Sequence, residues 1–109
     1  MEWIKGNLKV RDKTPEEKLC IAKIQIMMED AFGLCNGVSG VPSQQMKNIM
    51  IQQAKDWFES SECKWFCDMA GTEYDHVLKL YHNLQYRFNT GIITLDQVKF
   101  GIRHLEYKL

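Results

Sequence analysis

Cys63 and Cys67 stand one helical turn apart, and His76 and His82 follow them. Thiolate and imidazole are ordinary zinc ligands. Paired cysteines of knuckles and ribbons sit on a turn, however, whereas these fall within one helical stretch. Cysteine is also commonly buried without a ligand. The expectation is therefore no metal. Nucleophilic catalysis by Cys67 needs a thiolate and a nearby base, for which His76 is the candidate. Nothing marks an oxyanion hole or a cleft, and most apolar residues are committed to helix packing. The reading is no catalytic residue, no enzyme and no cofactor.

Recognition is the other chemistry on offer. In Phe66-Cys67-Asp68-Met69-Ala70-Gly71-Thr72, a small residue lies four before a glycine, and Val77 and Leu80 lie six and nine after it. That spacing fits a helix-turn-helix. The small residue admits close helix crossing, the glycine takes a left-handed turn, and the later apolar pair seats the second helix. On that second helix, Tyr74, His76, Lys79, His82 and Asn83 are the candidate DNA contacts, since such side chains reach bases or phosphates. Support would come from Lys64, Lys79, Arg87, Lys99, Arg103 and Lys108 gathering on one face. Against it, Glu73 and Asp75 stand where such a helix meets phosphates. Dimerisation is a natural companion, because one short helix reads few base pairs.

Protein contact is the rival. Trp65 falls off the Cys63–Cys67 face. Packing on the N-terminal arm or the last helix is the favoured reading of it. Exposed beside Met69, it would form a protein-contact patch. Neutral charge and the acidic helix start favour this rival, with the helix-turn-helix as scaffold only.

The run from Asp56 through Trp57, Ser60-Ser61, Phe66-Cys67 and Ala70-Gly71 resembles a motif of small phage and prophage proteins. There, an amphipathic helix ending in tryptophan leads to a serine, an aromatic, a cysteine, an alanine-glycine pair and an acidic helix start. Trp57, Ser60 or Ser61, Phe66, Cys67, Ala70, Gly71 and Val77 match, over about Asp56 to Leu80. Where the motif has a proline and then an arginine, this chain has Tyr74 or Asp75 and Leu78 or Lys79. The resemblance implies a phage or prophage origin, hence an accessory or regulatory protein in the host cytoplasm.

The elements that must position these residues read as helices. Thr14-Pro15-Glu16-Glu17 is a capping box with proline at the first helical position. Its helix runs to about Phe32 and stops at Gly33. Cys20, Ile24, Met27, Met28 and Ala31 share one face, and Leu19 and Ile26 add a second apolar edge, so this helix is expected to be central and largely buried. Residues 33–42 form a loop. Ser43 caps a second helix, ending near Glu59, with Met46, Ile49, Met50, Ala54, Trp57 and Phe58 inward. Ser61, ahead of Ser60, is the expected cap of a third helix carrying Cys63, Phe66, Cys67 and Ala70 inward. Thr72, with Asp75 in the reciprocal position, should cap a fourth, with Val77, Leu80, Tyr81, Leu84 and Phe88 inward. Thr94 and Gln97 form a further capping box, before a helix carrying Leu95, Val98, Ile102 and Leu105 inward. The methionines read as core filler.

The chain has 109 residues, 45% hydrophobic and 26% charged, which suits one folded domain with an N-terminal arm over residues 1–13. Fourteen basic residues balance fourteen acidic ones, which argues against strong non-specific affinity for nucleic acid. There is no bilayer-spanning run and no signal-peptide core. The expectation is a cytoplasmic protein with no membrane partner, in which Cys20, Cys35, Cys63 and Cys67 stay reduced. The fold expected is all-α: about five helices in a compact bundle containing a helix-turn-helix. The leading expectation is an accessory or regulatory protein that binds DNA through the helix-turn-helix; the alternative is a factor or inhibitor that binds a host or defence protein.

Overall fold

The computed structural model describes residues 13–34 and 43–109. The expected arm up to residue 12, the loop over residues 35–42 and Cys35 lie outside the described residues. The protein is all-helical over the described residues, a bundle of five α-helices: α1 (Pro15–Ala31), α2 (Gln44–Trp57), α3 (Ser61–Met69), α4 (Tyr74–Asn89) and α5 (Leu95–Arg103), with a closing 3-10 turn at Leu105–Tyr107.

Local chemistry sets the helix starts. Thr14 accepts from the Glu17 amide at 3.1 Å, and Glu17 accepts from the Thr14 amide at 2.9 Å. Thr94 and Gln97 repeat this at α5. Ser43 caps α2 through the Met46 amide. At α3 the cap is Ser60, not Ser61: its hydroxyl accepts from the Cys63 amide and donates to the Trp57 carbonyl. One hydroxyl thus closes α2 and opens α3, which Ser61 stands too late to do. At α4 the cap is Glu73, with no side-chain bond, rather than Thr72. The Thr72 amide is held by the Cys67 carbonyl at 3.0 Å and the Gly71 amide by that of Asp68 at 3.1 Å. This pair closes the C-terminus of α3, with Gly71 at φ +75°. Thr72 is therefore part of the closure and not part of the next start.

α1 is the central helix, packed on α2, α3, α5 and the closing turn. Ile21, Ile24, Met28 and Ala31 are buried along it. Gln25 donates to the Ile102 carbonyl at 2.9 Å, tying α1 to the end of α5. Cys63, Cys67 and Ala70 of the α3 segment are fully buried, as are Val77, Val98 and Ile102. The core ends in an aromatic cluster. Phe58 stacks on Tyr81 at 4.2 Å, and Phe32 meets Tyr81 and Phe88 edge-on.

Several apolar residues expected inside lie outside. Leu19 is 72% exposed and Ile26 49%, so the second apolar edge of α1 is solvated. Met46 and Ile49 are also exposed. The burial of Ala54, Trp57 and Phe58 sets the rotation of α2 and turns Ile51 and the Lys47 stem towards Gly33 instead. Leu95 sits at the first position of α5 and is exposed, because the helix enters the core only from Val98. Of the methionines, Met28 fills the core and Met27 packs against it, whereas Met46 and Met69 do not.

Candidate functional site

The corner between α3 and α4 holds the residues singled out for recognition. α3 presents the Cys63–Cys67–Ala70 face inward, and small side chains there let the helices approach. The two thiols hydrogen-bond to one another; this bond, together with burial, pushes the Cys63 thiol well above its ordinary value. The same bond, in which Cys63 donates, lowers Cys67. Cys20, Cys63 and Cys67 are free thiols. The corner is fastened from the start of α1 and the residues just ahead of it: the Lys13 ammonium donates to the Ala70 carbonyl at 3.0 Å, and the Glu17 carboxylate sits against Gly71.

Four of the five candidate DNA contacts divide between two flanks of α4. Tyr74 turns back, donating its hydroxyl to the Phe58 carbonyl at 2.5 Å, and Lys64 lies 5.3 Å over its ring. Burial, with the Glu59 carboxylate among several nearby charges, raises the Tyr74 phenol. His82 lines the same side, in a groove of about 570 Å³ with Tyr74, Leu78, Asp56 and Glu59. His76 and Lys79 line a second hollow, of about 380 Å³, beside Gly71, Thr72, Glu73 and Asp75. His76 donates through Nε2 to the Lys108 carbonyl at 2.9 Å. Asn83 is exposed.

Three of the basic residues stand in separate surroundings. Lys79 shares its hollow with two carboxylates, Arg103 lines another beside Glu29, and Lys64 covers Tyr74. Cys63 and Cys67 face the core, while His76 and His82 bond elsewhere, so the four do not converge. Among the described residues no group of three or more histidine, cysteine or acidic side chains is placed to hold a metal ion. Nor, among these residues, is any helix long and apolar enough to cross a membrane.

Trp65 and Met69 stand together on the outer side of α3. Trp65 is 55% exposed and Met69 47%, so among the described residues no element covers Trp65; its expected packing on the N-terminal arm lies outside the described residues. Its indole meets Phe66 edge-on at 5.0 Å, and Phe66 in turn leans on Trp57. Lys23 of α1 reaches within 6.0 Å of the Phe66 ring, and the Trp57 indole donates to Glu62. The exposed indole therefore rests on an aromatic support continuous with the core.

A cluster missed in the sequence is Tyr81–His82–Gln85. The Gln85 amide nitrogen donates to the Tyr81 hydroxyl at 2.9 Å, and its carbonyl oxygen lies 3.0 Å from His82 Nδ1. The one-turn spacing of Tyr81 and Gln85 was a signal available for it. Burial pushes the Tyr81 phenol up to about 12.

Comparison of the chain with protein-family models, curated proteins and solved structures finds no match.

Proposed function

We propose that this domain acts by binding another protein, with Trp65 and Met69 at the centre of the contact surface. The exposure of Trp65 on a braced helix is the observation that carries the reading. Tryptophan is over-represented among residues that dominate binding energy, and a side chain already held by Phe66 loses little freedom on docking. Met69, one turn away, adds an adaptable apolar edge. The zero net charge and the carboxylates of Glu73 and Asp75 beside Lys79 favour a protein over a polyanion. With the phage-type resemblance around residues 56–80, the partner class is a host or defence protein in the cytoplasm, and the domain is an accessory factor acting on it.

A photo-crosslinking residue at position 65 tests this in cells. One dominant adduct is expected, absent when the probe is moved to Asp96, an exposed position at the start of α5. Trp65→Ala should weaken binding to the identified partner by about 30-fold or more. A partner held equally well by Trp65→Ala removes the indole from the role.

A second reading is DNA binding through α4, as a small regulatory protein. The tight Gly71 corner and the outward placement of His76, Lys79 and Asn83 favour it. It requires retention on a DNA column that falls steeply with salt. Flow-through at low salt ends it. Sedimentation of the free protein decides whether a homodimer accompanies either reading.

A further inference from the structure

We propose that residues 4–10 lie as an extended strap over the Trp65–Met69 surface, so that a partner must displace part of this same chain to dock there. The displacement rests on the protein-contact reading of Trp65; the strap itself does not.

The segment carries an apolar side that needs a cover. Ile4, Gly6, Leu8 and Val10 alternate with Lys5, Asn7, Lys9 and Arg11. In an extended chain successive side chains point to opposite sides. This order therefore puts three aliphatic groups on one side and three cations on the other. At the helical period Val10 would fall about 200° from Leu8, and the separation would be lost. Among the described residues there is no strand for such a segment to join. Its apolar side is left to side-chain contact.

The first described residues set where that contact falls. The Lys13 ammonium donates to the carbonyl of Ala70, the residue after Met69, so the chain leading into α1 arrives beside the end of α3. Lys13 and Glu17 meet Ala70 and Gly71, and Lys23 reaches the Phe66 ring, so α1 runs antiparallel alongside α3. Leu19, 72% exposed, then stands level with the stretch between Phe66 and Ala70. With Trp65 and Met69 it makes the uncovered apolar surface beside that entry point. From Ile4 to Val10 an extended chain covers about 20 Å, against about 6 Å along α3 from Trp65 to Met69. One strap can thus cover all three residues. Tethering at Lys13 holds it at an effective concentration on the order of millimolar, so a weak apolar contact is enough to seat it. A partner then binds only the open fraction, and its apparent affinity falls by that fraction.

The test uses the full chain in dilute solution. Carbon-13-edited NOE spectra should connect the Trp65 indole to methyl groups of Ile4, Leu8 or Val10. A photo-crosslinking residue at position 65 of the purified protein should give an intrachain adduct with residues 1–12. Leu8→Ser with Val10→Ser, both outside the core, should abolish the contacts and the adduct. Lys9→Ser with Arg11→Ser, on the opposite side, should keep them. The Leu8 and Val10 pair should also tighten the partner captured through position 65 several-fold, where Trp65→Ala weakens it. No indole–methyl contact, an adduct only between two chains, or loss of contact in the Lys9 and Arg11 variant would each overturn the strap. Unchanged or weaker partner binding in the Leu8 and Val10 variant would overturn the displacement. No captured partner, with the indole–methyl contacts present, defeats the protein-contact reading and the displacement with it, and leaves the strap standing.

Discussion

The two ends of α2 carry the same kind of residue and meet opposite fates. At its C-terminal end Ala54, Trp57 and Phe58 are buried, with Phe58 stacked on Tyr81 and Trp57 edge-on to Phe58. At its N-terminal end Met46 and Ile49, at helical spacing from those residues, are half in solvent. Periodicity assigns a residue to a face of its helix. Whether that face is covered depends on a partner that the helix does not encode. The contrast also bears on function, because the rigid end supports the proposed contact surface, where Trp57 braces Phe66 behind Trp65, and Phe58 lines the neighbouring groove.

The strongest way to break the contrast is Phe58→Ala. It leaves a cavity under Tyr81 and should destabilise the domain by about 3–5 kcal/mol, read by chemical denaturation. For a domain of this size that is a large part of the total. Tyr74, whose hydroxyl is anchored on the Phe58 carbonyl, should retain that bond only while the turn holds. Loss of its NMR protection along with the stability would show that core and groove share one support. A cost near that of a surface substitution would mean the aromatic cluster is not the core.

The buried phenol of Tyr81 gives a pH test of the same end. Its pKa stands at about 12, above the ordinary 10, with burial as the cause. A group whose folded pKa is raised contributes stability that is whole below its unfolded value and is lost as pH rises through the folded one. Stability should therefore fall between pH 10 and about 12. Tyr81→Phe should flatten that segment of the curve, while Tyr86→Phe, at an exposed tyrosine, should not.

Gly71 and Gly91 sharpen the comparison at a lower magnitude. Both close helices at nearly the same positive φ, +75° and +78°. A Cβ at Gly91 meets nothing within 4 Å, whereas one at Gly71 falls 2.6 Å from the Glu17 carboxylate. Gly91→Ala should cost about 1–2 kcal/mol of backbone strain. Gly71→Ala should cost more, because Glu17 must also move and release the Thr14 amide it caps. Equal costs would show that the α1 contact with the corner contributes nothing.

What was legible in the sequence follows from the range of the interactions. The capping boxes at Thr14 and Thr94 are closed within four residues, and their residue types announce them. Thr72 has the same local look, but its amide is claimed by Cys67 in the preceding helix. The fully buried line Cys63, Cys67, Ala70 and Val77 was readable from spacing, since small and apolar residues at a glycine corner have one packing solution. Tyr74 was not: its hydroxyl reaches a carbonyl sixteen residues away, and nothing near it in the chain signals that partner. Leu19, Ile26, Met46, Ile49 and Trp65 share this difficulty. Each is apolar at a plausible position, and only the rotation of its helix against neighbours places it outside.

The smallest effect expected is the most informative about the open end of α2. Replacing Met46 and Ile49 together by Gln removes apolar surface that already faces water, so little transfer free energy is lost. Glutamine also has a helix propensity at least equal to that of isoleucine. Stability should change by no more than about 0.5 kcal/mol per site, read as an almost unmoved denaturation midpoint. A loss of about 2 kcal/mol or more would mean that this face is covered in solution. Repeating the measurement over a hundredfold range of protein concentration then identifies the cover: a midpoint that climbs with concentration points to a second copy, and one that stays fixed points to the chain itself.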